Sequence, residues 1–185
     1  MSKNSTTPLN LRATVYCALF TALIIIGAYI SIPIGPIPGV LSDFFVMITA
    51  LFLGWKYGLI SVLLYLGLGA IGMPVFAGGA SGIAALVGPT GGFLFGFLLL
   101  VAAIGFMTEK LGSSTVINLI SLVVGNVFLY ASGIIWFKFT LDVSWGAAIA
   151  YTLTPFILGT VIKIIVAVTI GRTLVPRFKE NVKFI

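Results

Sequence analysis

The sequence predicts an all-α integral-membrane protein: a bundle of six transmembrane helices with a capping loop between the third and the fourth. Three observations carry that reading. The 185 residues are 60% apolar and 8% charged, with a mean hydropathy of +1.24, unlike any ordinary soluble domain. Ten basic and four acidic residues punctuate the chain into apolar runs long enough to span, since a helix needs about 20 residues to cross the hydrocarbon core. Finally, Gly72 to Gly92, GMPVFAGGASGIAALVGPTGG, is free of charge yet holds seven glycines and two prolines in 21 residues. It cannot continue as a regular helix.

The spans follow in order. No charge lies between Arg12 and Asp43, so the first helix runs from about Ala13 to Pro33 and stops at the proline-rich IPIGPIPG. Lys3 and Arg12 precede an apolar run too long for a signal-peptide core, which reads as a retained helix. A short second helix lies between Asp43 and Trp55, with Lys56 in a tight turn, and a third follows from Tyr57 to about Ile71. Between Lys56 and Glu109 stand 52 charge-free residues, enough for the third helix, the glycine-rich stretch and a fourth helix from about Gly91 to Thr108. Leu111 to Phe137 makes a fifth and Trp145 to Gly171 a sixth. Residues 1–185 then form one transmembrane domain with no room for another. Ala18 and Ala22, Gly54 and Gly58, and Gly92 and Gly96 are small pairs four residues apart, which let helices approach closely.

Basic residues concentrate in cytoplasmic loops near helix ends. With the amino terminus inside, Lys3, Arg12, Lys56, Lys110, Arg172, Arg177, Lys179 and Lys183 all lie on the cytoplasmic side, and Lys138 lies outside. The expected location is therefore a bacterial cytoplasmic membrane, crossed several times, with both termini cytoplasmic. The net charge of +6 is accounted for by topology and gives no support to nucleic-acid binding. This orientation puts IPIGPIPG and the glycine-rich stretch on the external face.

Irregular backbone in a bilayer must be buried in protein or line a cavity, because an amide left unpaired in hydrocarbon costs several kcal/mol. The glycine-rich stretch is thus either a cover over a small-molecule site or a tightly packed connection, and composition alone leaves both open. Lys163, in PFILGTVIKIIVAV, is the charge that no helix end explains. It lies nine residues before Arg172, about 13 Å along a helix, deep in a core roughly 30 Å thick. Such a lysine snorkels, pairs with a structural carboxylate or meets an anionic ligand. Asp43, Glu109, Asp142 and Glu180 all stand near predicted helix ends, which favours the ligand. Gly159 and Pro155, one and two turns earlier, leave room on that face and favour a bend.

Absences narrow the chemistry. Without histidine, sites built on imidazole are excluded, and no metal-ligand cluster stands out. Cys17 is alone, so no disulfide forms within the chain, and a packing role is expected. Neither GxxxxGK[ST] nor GxGxxG occurs in the glycine-rich stretch, where GPTGG is followed by Phe93. No cofactor is implied. Four dispersed carboxylates offer no acid and base pair, and Ser42 and Ser81 lack an activating partner. The chain reads as a binder without catalysis; accumulation of a solute would need energy from another subunit or a gradient.

PVFAGGASG with GPTGGFLFGF resembles the signature of the BioY family, the biotin-binding S components of energy-coupling factor (ECF) transporters. YLGLGAIGMPVFAGG, GNVFLYASGIIWF and PFILGTVIK agree with it, so the resemblance runs along essentially the whole chain. It implies a six-helix subunit that captures biotin at the external face and associates with a transmembrane coupling subunit and two cytoplasmic ATPases. Ala18 and Ala22 match the family's small-residue motif for docking the coupling subunit. Gly79, Gly82, Thr90, Gly91 and Phe93 are expected to wrap the ligand, with Phe76 and Phe93 against the thiophane ring and backbone groups meeting the ureido ring.

Two departures stand out. The family's sixth helix usually reads GDxxK, whereas GTVIK puts Thr160 where an aspartate is expected and leaves Lys163 without its internal partner; by the resemblance, Thr160 and Lys163 are both expected at the ligand. The first loop reads PIPGVLSD instead of a PVPxTLQ-like run, which places Ser42 at the amide position and adds Asp43, expected to cap the second helix. Other readings are an S component for another vitamin, a small channel, which would need a polar pore lining, and a membrane enzyme acting on lipid, which would need a reactive constellation.

Overall fold

A computed structural model describes residues 11–32 and 37–181. Lys3, Lys183, residues 33–36 of the proline-rich loop and the side chain of Lys179 lie outside the described residues. The elements in order are α1 (Leu11–Tyr29), a two-residue antiparallel pair β1 (Ser31–Ile32) and β2 (Gly39–Val40), α2 (Ser42–Ala70), a 3-10 turn (Ala77–Gly79), α3 (Gly82–Val87), α4 (Gly91–Leu111), α5 (Thr115–Leu141), α6 (Trp145–Thr152), α7 (Ile157–Thr173) and α8 (Val175–Asn181).

α2 doubles back on itself. Gly54 has φ +69° and ψ −168°, a conformation open to glycine and costly for other residues, and it divides the helix into segments 42–53 and 55–70. The direction of each is fixed by α1. The Leu41 N–H donates to the Gly27 carbonyl at 3.0 Å while the Phe20 and Phe52 rings lie 5.7 Å apart, so 42–53 runs antiparallel to α1. The Cys17 thiol donates to the Tyr57 carbonyl and the Thr21 hydroxyl to the Ser61 carbonyl at 3.0 Å, so 55–70 runs parallel to it. A β-carbon placed on Gly58 would lie 3.8 Å from the Ala50 Cα, where a continuous helix would separate these residues by about 12 Å. The Glu109 carboxylate holds the turn by accepting the Trp55 N–H at 3.0 Å.

The remaining boundaries have local causes. Ser114 and Ser144 cap α5 and α6, accepting from the N–H groups of Ile117 and Ala147 at 3.3 and 3.2 Å. The expected single helix from Trp145 to Gly171 is broken at 153–156, with a bend of 49° between α6 and α7. Pro155 lies in that break, where it lacks an amide proton and obstructs the preceding turn. The glycine-rich stretch is more ordered than its composition suggests, since it contains the 3-10 turn and α3. Among the described residues, four helices are long and apolar enough to cross a membrane, five if the bent α6 and α7 pair counts as one. α8 continues past the expected end of the last span, and Phe178 packs edge-on against Tyr16 and Phe52.

α2 lies against α1 and α4, and α4 against α5, around a core that includes Ile24, Met47, Leu51, Val62, Leu100, Ile104 and Leu122. Some buried hydroxyls are satisfied within their own helices: Thr49 donates to the Phe45 carbonyl and Thr108 to that of Ile104, as a medium without water requires. The small pairs divide in use. Gly58 faces Val101, and Gly92 and Gly96 seat against Trp136, Ser132 and Leu129 of α5, whereas Ala18 and Ala22 are exposed.

Gly92 and Gly67 therefore respond differently to a methyl group. A β-carbon at Gly92 would collide with the Trp136 Cβ and sit 2.7 Å from the Ser132 carbonyl oxygen, while none of the described atoms lies within 4 Å of one at Gly67. Gly92→Ala is expected to destabilise the protein by about 1–3 kcal/mol and Gly67→Ala to be neutral or slightly stabilising, as read by thermal unfolding in detergent.

Candidate functional site

Where 55–70, the glycine-rich stretch and the first turn of α4 meet the β2 to α2 junction, the bundle opens into a cavity of about 280 Å³. Ile37, Pro38, Gly39, Val40, Ser42 and Asp43 form one wall, and Phe76, Ala77, Ala80, Ala85 and Thr90 of the glycine-rich stretch another. Tyr65, Phe93, Leu94, Phe97, Leu129, Tyr130 and Phe156 supply an apolar and largely aromatic interior, and Lys163 reaches in from α7. Phe93 meets Tyr130 edge-on at 6.1 Å and Phe76 meets Tyr65 at 5.3 Å, geometries that aromatic pairs favour.

The charged groups of the cavity sit at one place. The Lys163 ammonium donates to both Asp43 carboxylate oxygens, at 2.8 and 2.9 Å, and to the Val40 carbonyl at 2.7 Å. Those three acceptors match its three hydrogens. The partner that Lys163 was expected to lack is therefore Asp43, across the bundle on α2. Leu41, not Asp43, occupies the N-cap position of α2, but Asp43 stands in the first turn, where an acid interacts favourably with the helix amino terminus as expected, and its carboxylate is also on Lys163. Asp43 and Lys163 are the charged residues lining the cavity, so its lining carries no net charge. One turn before Lys163, Thr160 shares a 2.6 Å hydrogen bond with the Tyr130 hydroxyl.

Of the residues expected around a ligand, the cavity gathers Phe76, Thr90, Phe93 and Lys163; Gly79, Gly82, Gly91 and Thr160 are not among its lining residues. Gly79 and Gly82 have φ of +80° and +79° and shape the segment that carries Ala77, Ala80 and Ala85. Gly91 is buried against the Leu86 carbonyl beside the Trp136 indole, whose N–H donates to the Gly88 carbonyl at 2.9 Å. Thr160 acts on Tyr130 from behind. Sequence reasoning missed Asp43 and Tyr130 as wall residues. The signal for Asp43 was charge balance with Lys163; Tyr130 lay within the quoted GNVFLYASGIIWF.

The profile of the BioY family matches residues 1–180. The chain belongs to the BioY family. A BioY relative, the biotin transporter BioY of Thermotoga maritima, is 44% identical over 162 residues, covering 87% of this chain and 94% of its own length. The biotin transporter BioY2 of Lactococcus lactis subsp. cremoris is 36% identical over 167 residues, covering 90% and 92%. Among solved structures, the S-component for biotin from an ECF-type ABC transporter superimposes with a TM-score of 0.82 at 35% identity, covering 94% of each chain. The fold and the long apolar helices are those of a multi-pass membrane protein, as in that BioY-like structure.

The ion pair predicts a coupled effect on stability. Its side chains are 20% and 10% exposed, so an isolated charge left by Asp43→Asn or Lys163→Met would remain mostly desolvated. Each single variant is expected to lose on the order of 3 kcal/mol, and the double variant less than the sum. A double-mutant cycle on thermal unfolding checks it, and strict additivity would contradict the coupling.

Proposed function

We propose that this chain captures biotin in the cavity beside Asp43 and Lys163 and delivers it to an ECF-type transporter as its S component, with no catalytic step of its own. The observation that carries the reading is a preformed apolar cavity with one polar pole, in a family whose relatives are biotin transporters. Size and lining suit a small ligand with an apolar body and one hydrogen-bonding end.

The pole also argues for an orientation. A ligand carboxylate would meet the Asp43 carboxylate and compete for a lysine whose three hydrogens are already engaged. A ureido group is neutral, with N–H donors for Asp43 and a carbonyl acceptor for Lys163 or Tyr130. We assign the ureido ring to this pole, with Phe76 and Phe93 against the thiophane ring and the valerate toward the glycine-rich stretch.

The same reading gives six membrane segments, with α2 counted twice at the Gly54 reversal and α6 and α7 counted once. Both termini are then cytoplasmic and the cavity opens outside. Arg12, Lys56, Lys110 and Arg172 lie toward the end of the bundle away from the cavity and Lys138 toward the near end, in keeping with the positive-inside rule. Ala18 and Ala22 lie on an exposed stripe of α1 with Val15, Leu19 and Ile26. That stripe is the face assigned to the transmembrane coupling subunit, which would in turn bind two cytoplasmic ATPases.

Calorimetric titration of the detergent-solubilised protein is expected to show tight, one-to-one biotin binding that thiamine and riboflavin do not compete away; no biotin binding by folded protein would falsify the function. For the orientation, biotin amide is expected to bind nearly as well as biotin, while diaminobiotin, which lacks the ureido carbonyl, binds at least tenfold more weakly. Asp43→Asn should weaken biotin and its amide by the same factor. A gain confined to biotin, expected if loss of the competing acid frees Lys163, would place the carboxylate at the pole instead.

A further inference from the structure

A second depression, of about 350 Å³, opens on the outside of the bundle and is lined by Trp55, Leu99, Ala102, Ala103, Phe106 and Phe128. Its shape follows from residue size: two alanines on one face of α4 make a floor, and Trp55, Phe106 and Phe128 rise around it. It begins at the Gly54 reversal, the end of the bundle away from the ligand cavity, and runs along α4 toward the middle of the molecule. Among the described residues, no polar side chain lines it apart from the indole of Trp55.

The charge at its mouth is arranged. Lys56 places its ammonium 5.6 Å from the centroid of the Trp55 ring. Lys110 follows Phe106 by four residues, so it stands on the same face of α4 one turn beyond the groove. Both lysines are exposed. The neighbouring acid, Glu109, is also exposed and accepts the Trp55 N–H, so the mouth carries two lysines against one acid. The groove is therefore apolar along its length and cationic where it reaches the membrane surface.

We infer that this groove holds one acyl chain of an anionic phospholipid whose headgroup phosphate sits between Lys56 and Lys110. Apolar walls alone would accept any lipid tail. Two lysines at the mouth select for net negative charge, because a zwitterionic headgroup brings its own cation next to them. A second copy of the chain fits poorly, since seating it there would bring like charges together at the mouth.

The test is native mass spectrometry of the full chain in detergent, with equimolar dioleoylphosphatidylglycerol and dioleoylphosphatidylcholine as probes. The expected result is one phosphatidylglycerol bound in clear preference to phosphatidylcholine. Lys56→Gln with Lys110→Gln is expected to weaken phosphatidylglycerol roughly tenfold with phosphatidylcholine unchanged, and Ala103→Phe, which fills the floor, to reduce both. Equal occupancy by the two lipids, or undiminished phosphatidylglycerol on the double lysine variant, overturns the inference. So does a dimer that Ala103→Phe dissociates. Cooperative thermal unfolding verifies folding of each variant, and the lysine pair decides the matter if Ala103→Phe does not fold.

Discussion

The contact between Asp43 and Lys163 joins residues 120 positions apart and fixes how the two ends of the bundle's chain meet. It holds the first turn of α2 against the middle of α7, and through the Val40 carbonyl it draws in the short β pair as well. Thr160, on the same face of α7 as Lys163, adds a second link through Tyr130 to α5. Two helices and a loop thus converge on two residues of α7, and together they form one side of the cavity. Either charge alone would be stranded in apolar surroundings, where an unpaired ion is expensive.

Much of the fold was legible because charge is scarce in this sequence. Lys56, Glu109 and Lys110 mark helix ends correctly, and Pro155 marks the break before α7. Segment 42–53 shows where this logic stops. Asp43 stands at a helix end in sequence, which suggests a surface position, yet the helix it begins is short and packed between α1 and the rest of the bundle, so its first turn is buried. Depth here is a tertiary property, and only Lys163, far from any end, displayed it in one dimension. Phe76, Thr90 and Phe93 were readable only through the family resemblance; composition alone left the charge-free segment as either a cover or a packed connection. Gly79, Gly82 and Gly91 were not separable from them, since glycine serves both to shape backbone and to admit a neighbour. The aromatic interior from α4 and α5 was hidden for another reason: a membrane helix is apolar on its lipid face too, so periodicity does not reveal which aromatics point inward.

Thr160 and Asp43 together make sense of what seemed a gap in the family pattern. The carboxylate that GDxxK would provide from the same helix as the lysine is provided in this chain from the opposite helix, and the vacated position carries a hydroxyl that orients Tyr130. A pair made across the bundle also ties its own formation to assembly. Lys163 lies on α7, so the pair is complete only when α7 is packed against the first turn of α2.

The reversal at Gly54 has a consequence for selectivity. Segment 42–53 climbs only about 18 Å from that turn at 1.5 Å per residue, in a hydrocarbon core about 30 Å thick. With the turn at one membrane surface, as in the proposed topology, Asp43 would end roughly 12 Å short of the other, and the charged pole of the cavity would lie at the bottom of a pit within the bilayer. A molecule that reaches it leaves bulk water well before it touches the pole. A guest whose donors and acceptors mismatch the pole then has no solvent at hand to repair the deficit, and discrimination between close analogues comes from that penalty.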